Sequence, residues 1–132
     1  KNIPVMGHLG LLPQSTRGKF KFKGKTVLEK KKIMKDSKLL EKLGVFSVVL
    51  ECIETSLSKK ITNTLKIPTI GIGSSIYCDG QVLVTDDLLG LNVTKIRFVK
   101  KFADMRKLIN QGVKKFKLEV MSKRYPLKKH SY

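Results

Sequence analysis

Residues 45–52, Val-Phe-Ser-Val-Val-Leu-Glu-Cys, form a short apolar run rich in β-branched side chains, entered from Gly44 and closed by Glu54 and Thr55. A run that is apolar on both faces predicts a buried strand in a parallel sheet covered by helices. Residues 3–6 predict an earlier strand that ends at Gly7-His8. The stretch from Gly10 to Lys25 has no period, because Pro13, Gly18 and Gly24 interrupt it. Thr26 followed by Glu29 makes a capping box, and Val27, Ile33, Met34, Leu40 and Leu43 then recur at helical spacing up to the glycine stop at Gly44. A second helix starts at Glu54-Thr55 and carries Leu57, Ile61 and Leu65 on one stripe. After Pro68, residues 69–73 read as a third strand. Residues 79–85 are strand-like by composition, yet residues 86–90 continue them in helical style. Residues 96–99 predict a further strand. Phe102, Met105, Ile109, Val113, Phe116 and Val120 predict an amphipathic helix. The basic tail, residues 123–132, contains Pro126 and is expected to be loose.

Alternating strands and helices predict an α/β fold with a parallel sheet and right-handed crossovers. The 132 residues suffice for one domain, residues 1–132. Four strands are half of what a closed eight-stranded barrel needs, and such a barrel takes roughly 250 residues. A half-barrel would leave two unpaired edges and an exposed apolar interior, so the isolated chain should associate. The start at Lys1 suggests a fragment, a split gene product or a degraded copy.

Composition changes this picture in only one respect. An apolar fraction of 41% argues against disorder. No run is long enough to cross a bilayer and no signal peptide opens the chain, so a soluble, cytoplasmic protein with no membrane partner is expected. Cys52 and Cys78 are too few for a disulfide framework, and His8 and His130 are the only histidines, which argues against a zinc site. The net charge of +18 has two readings: a polyanion partner such as nucleic acid, or a solvated surface written in lysine. The second fits better. Arginine occurs only at positions 17, 97, 106 and 124, whereas phosphate and base recognition favours its planar fork, and the lysines are spread over every predicted helix face.

The candidate chemistry is sparse. Glu51 ends the central strand, where α/β folds place reactive groups, but by position it reads equally well as a loop acid capping the next helix. His8 ends another strand of the same direction. The two would share one rim, with the carboxylate as a base and the imidazole as a donor to an oxyanion or carboxylate. His8 alone also reads as a loop histidine bonded to backbone. Gly71-Ile72-Gly73-Ser74-Ser75 lacks the third glycine of a dinucleotide fingerprint and reads as close backbone packing. Asp86-Asp87 is too small a set for a metal site and reads as a helix-end pair. Asn92-Val93-Thr94 matches a glycosylation sequon, without meaning in a cytosolic chain.

Taken together, several motifs resemble the ketopantoate hydroxymethyltransferases. They are Val5-Met6-Gly7-His8-Leu9-Gly10-Leu11 with Pro13-Gln14-Ser15, Val49-Leu50-Glu51-Cys52, Ile67-Pro68-Thr69-Ile70-Gly71-Ile72-Gly73, Asp79-Gly80-Gln81-Val82-Leu83-Val84, and Tyr125-Pro126 with His130-Ser131-Tyr132. The resemblance implies a (β/α)8 TIM barrel of the phosphoenolpyruvate/isocitrate lyase type, of which this chain is the C-terminal half, about four βα units. It implies helix over residues 79–89. It implies transfer of a one-carbon unit from methylenetetrahydrofolate to α-ketoisovalerate, giving ketopantoate for pantothenate synthesis. Glu51 matches that family's proton acceptor and His8 a histidine of its substrate pocket. The Mg2+ ligands and the substrate lysine belong to the N-terminal half of the barrel, which is the implied partner, and full-length subunits would form a homo-oligomer. The chain departs from the family at Leu12, Ser74-Ser75 and Asp86-Asp87, and residues 17–24 are more basic than usual. The alternatives are a non-enzymatic, lysine-rich nucleic-acid-binding protein and an inactive truncated remnant.

Overall fold

Four strands pair side by side in the order β1-β2-β3-β4, every pair parallel: β1 (Met6–Gly10), β2 (Ser47–Glu51), β3 (Thr69–Ile72) and β4 (Gly80–Gln81). They belong to a computed structural model that describes residues 3–12, 21–93 and 96–132. The chain divides into two units, Lys1–Leu83 and Val84–Tyr132. The motif Pro13-Gln14-Ser15 and the last residue of the sequon lie outside the described residues.

In the first unit, α1 (Val27–Lys42) follows β1 and α2 (Thr55–Thr64) follows β2. The capping box at Thr26 forms as the spacing predicts. The Thr26 hydroxyl accepts from the Glu29 N–H at 3.1 Å, and the Glu29 carboxylate accepts from the N–H groups of Lys25 and Thr26. Those bonds, Lys25 foremost, hold the Glu29 carboxyl below the usual range. Gly44 ends the turn at φ +83, a left-handed conformation that suits glycine.

Strand alternation decides which side chains meet the helices. Val48 and Leu50 are fully buried and join Leu57, Ile61 and Leu65, the stripe expected of α2. Leu9, Ile33, Met34 and Leu40 pack around them. Met6, His8, Val49, Glu51, Ile70 and Ile72 alternate with these positions and lie on the opposite face, exposed or half-buried. Cover on both faces of the sheet is therefore not met within the described residues; only the helix side is closed.

Two stretches differ from the pattern reading and one from what the resemblance implies. Strand β1 begins at Met6, because it runs where Ser47 to Glu51 offer a ladder, and Gly7 and Leu9 rather than Ile3 and Val5 meet the core. Residues 79–89 are not the single helix that the resemblance implies: Gly80–Gln81 is the fourth strand, within the stretch that composition reads as strand-like, and helix is confined to α3 (Thr85–Leu88). Residues 96–99 form a turn instead of a strand, with the Val99 N–H on the Ile96 carbonyl at 3.0 Å. That run is short, carries Arg97 in its middle, and pairs with no strand among the described residues.

The second unit contains α3 and α4 (Met105–Met121). The apolar stripe of α4 is present but none of its residues is buried, and Val113 stays 61% exposed. In the tail, the Tyr125 ring lies 5.5 Å from both Phe116 and His130, and a short 3-10 turn covers Lys128–His130. No helix among the described residues is long and apolar enough to cross a membrane.

Burial sets the scale of two substitutions. Leu50→Ala is expected to cost about 2–5 kcal/mol in urea unfolding. Val113→Ala on the exposed stripe should stay within about 0.5 kcal/mol. Similar losses from both would contradict the burial described here.

Candidate active site

His8 and Glu51 meet at the carboxyl rim of the sheet. In the parallel register, Gly10 stands opposite Glu51 and His8 opposite Val49, so the two side chains occupy diagonal positions on one face. Imidazole Nε2 lies 3.0 Å from the Glu51 Oε2, within hydrogen-bond distance. The glutamate side chain is 13% exposed and the histidine 37%, so the carboxylate is sheltered while the ring still reaches solvent.

Glycine makes this approach possible. Gly10 has φ +101, and a Cβ there would collide with the Glu51 carbonyl oxygen and the Ile53 side chain. Without it, the end of β1 lies against β2, and the Leu11 N–H donates to the Glu51 carbonyl at 2.9 Å.

After Glu51 the chain turns sharply. Cys52 has φ +50, a left-handed conformation that is costly for a residue with a Cβ. A side chain from the next strand's loop holds the turn. The Ser74 hydroxyl donates to the Leu50 carbonyl at 2.7 Å and accepts from the Ile53 N–H at 3.0 Å. The Thr55 hydroxyl donates to the Ser74 carbonyl at 3.1 Å. Ser74 was not among the sequence candidates. Its signal was only its place after Gly71-Ile72-Gly73, where β3 runs out beside the end of β2. On the far side of the turn, Lys23 bridges to Ile53 and its N–H donates to the Cys52 carbonyl at 2.8 Å, so residues 21–25 border the same rim.

The capping role that position alone allowed for Glu51 belongs to Glu54. Its carboxylate accepts from the Ser56 and Leu57 N–H groups at 3.1 and 3.0 Å, takes the Ser56 hydroxyl at 2.7 Å, and pairs with the Lys30 ammonium at 3.1 Å. The Ser56 hydroxyl, then the Ser56 and Leu57 N–H groups and Lys30, hold its pKa down to about 2. Cys52 beside the pair is buried. Burial first, then the Glu51 charge, push its thiol pKa up, which keeps it protonated and unreactive.

The other candidates do not join this site. Gly71 lies close to the Gln81 side chain and the Cys78 sulfur, the packing role expected of it. Asp86 and Asp87 open α3 in the second unit, and Asp87 accepts from the Asn92 amide at 2.8 Å. Among the described residues no three His, Cys, Asp or Glu side chains gather as a metal-binding group.

Two measurements test this rim. Ser74→Ala leaves the Leu50 carbonyl and the Ile53 N–H without their shared partner, and should cost about 1–3 kcal/mol in urea unfolding. Glu54 is more acidic folded than its ordinary 4.5, so its contribution to stability is complete above that pH and is lost as pH falls toward about 2. In Glu54→Gln this part of the acid limb should vanish from a plot of urea midpoint against pH, and an unchanged limb would contradict the cap.

The sequence profile described as ketopantoate hydroxymethyltransferase matches residues 1–128. A 3-methyl-2-oxobutanoate hydroxymethyltransferase of Pelagibacter ubique (strain HTCC1062) is 63% identical over 130 residues, 98% of this chain and 50% of the relative. Enzymes of the same name from Carboxydothermus hydrogenoformans and Clostridium botulinum (strain 657 / Type Ba4) are 45% and 47% identical over 133 residues, each covering 98% of this chain and 48% of the relative. The chain thus spans about half the length of the curated relatives it matches. With a parallel α/β sheet and a profile match over nearly its whole length, this chain belongs to the ketopantoate hydroxymethyltransferase family.

Proposed function

We propose that the chain supplies the C-terminal half of a (β/α)8 barrel that transfers a one-carbon unit from methylenetetrahydrofolate to α-ketoisovalerate, with Glu51 as the proton acceptor. One observation carries this reading: the Glu51 carboxylate and the His8 imidazole, 3.0 Å apart, end up on the open face at the carboxyl rim of adjacent parallel strands. Reactive groups of (β/α)8 enzymes sit at that end of the barrel.

The keto acid carries one hydrogen on the carbon beside its ketone. Water hydrolyses the methylene bridge of the folate, breaking its two C–N bonds and releasing tetrahydrofolate and a formaldehyde-level carbon. Glu51 takes the keto acid's proton, and the resulting enolate carbon attacks that carbonyl carbon, whose oxygen takes up a proton and becomes the hydroxyl. His8 orients the carboxylate by donating from Nε2, which leaves Nδ1 of a neutral ring as an acceptor. Shelter of Glu51 to 13% exposure keeps bulk water from competing as the proton acceptor. Mg2+, which the resemblance implies, finds no donor set in the described residues. Its ligands would come from the other half of the barrel. The bare face of the sheet, with Met6 46% exposed and Val49 and Ile70 half-buried, is where that other half would close the barrel.

The test uses Glu51→Gln in a barrel completed by its N-terminal half. Turnover should fall by about 10²–10⁴-fold, the usual worth of a positioned base, while calorimetry still detects keto-acid binding. Turnover at the parent rate would reject Glu51 as the proton acceptor.

A further inference from the structure

Along the chain the lysines read as scattered over every helix face, but folding gathers several of them. Between α1 and α2 runs a groove of about 450 Å3. Lys31, Lys35 and Lys38 of α1 and Lys60 of α2 stand around it, and Met34 and Leu57 form part of its lining. All four lysines are exposed. None has a carboxylate partner among the described residues. Lys30, which also lines the groove, is bound to Glu54, and Lys32, outside the lining, pairs with Asp36. Like charges at this spacing on one helix face repel by a few tenths of a kcal/mol per pair, so the cluster costs the helix something that an anionic partner would offset.

We propose that this groove binds an acidic peptide segment: an extended chain of carboxylates on short methylene stems. The charge is complementary, and the thioether of Met34 and the edge of Leu57 offer apolar contact to the stems. The span also fits. Lys31 and Lys38 are separated by about 10 Å along the helix, close to three residues of extended chain. Nucleic acid fits worse. The lining has no arginine for a forked phosphate contact and no aromatic ring on which a base could stack. This binding is separate from the Glu51 chemistry, because none of the groove lysines belongs to the His8–Glu51 rim pair.

The experiment is fluorescence anisotropy of labelled tetraglutamate with the full chain at low salt. Lys31→Glu with Lys38→Glu should weaken binding by about tenfold or more, since two attractions become repulsions. Lys115→Glu with Lys117→Glu on α4 changes the net charge equally and should leave binding within about twofold. Circular dichroism checks that both variants keep their helices. Equal weakening by the two pairs would mean that only net charge matters, and would overturn the groove. Tighter binding of an oligouridylate of the same charge, lost in the same α1 variant, would overturn the acidic peptide in favour of nucleic acid.

Discussion

The parallel ladder between β1 and β2 is the constraint on which the candidate site rests. Its register sets Gly10 against Glu51 and leaves His8 two residues back on the same face. A slip of one residue would turn the imidazole toward the helices and leave the carboxylate without its neighbour. Two features keep the register. Val48 and Leu50 are locked into the helix layer on one side. On the other, Gly10 has no Cβ to strike the Glu51 carbonyl, so the ladder closes to its last rung. The contact between two polar side chains thus depends on an absent one.

The turn that follows Glu51 shows how backbone bonding frees a side chain. Leaving the sheet through a left-handed Cys52 breaks the ladder, and the groups stranded by that break need partners. Ser74 serves two of them from the neighbouring strand's loop, and Lys23 serves another. Three residues further on, Glu54 answers the N–H groups of α2 and carries the charge that the helix start prefers. With the cap filled by Glu54, the Glu51 carboxylate pairs with His8 instead. The two glutamates are close in sequence and share a rim, yet their environments give them different tasks.

Much of this was readable from residue order, and the reasons are local. The capping box at Thr26 and Glu29, the stripe Leu57, Ile61 and Leu65, and the β-branched runs of β2 and β3 are short-range patterns whose period already implies the element. What escaped was decided by neighbours. Residues 96–99 are as apolar as a strand but find no ladder among the described residues, while of residues 79–85, strand-like by composition, only Gly80–Gln81 pairs along the edge of β3. Helix α4 has the right period and still buries nothing, since a stripe says which face wants cover and not whether cover exists.

For the candidate site the division is similar. Sequence alone determined that a carboxylate and an imidazole each stand near the end of a strand, and motif resemblance named the family, because strand patterns and short motifs are properties of consecutive residues. Only the tertiary structure decided that Glu51 is not the helix cap, that His8 reaches it at 3.0 Å, that Ser74 holds the turn after it, and that lysines from two helices crowd one groove. Each of these depends on a distance between residues far apart in the chain. Such distances are set by register and packing, which no single stretch of sequence contains.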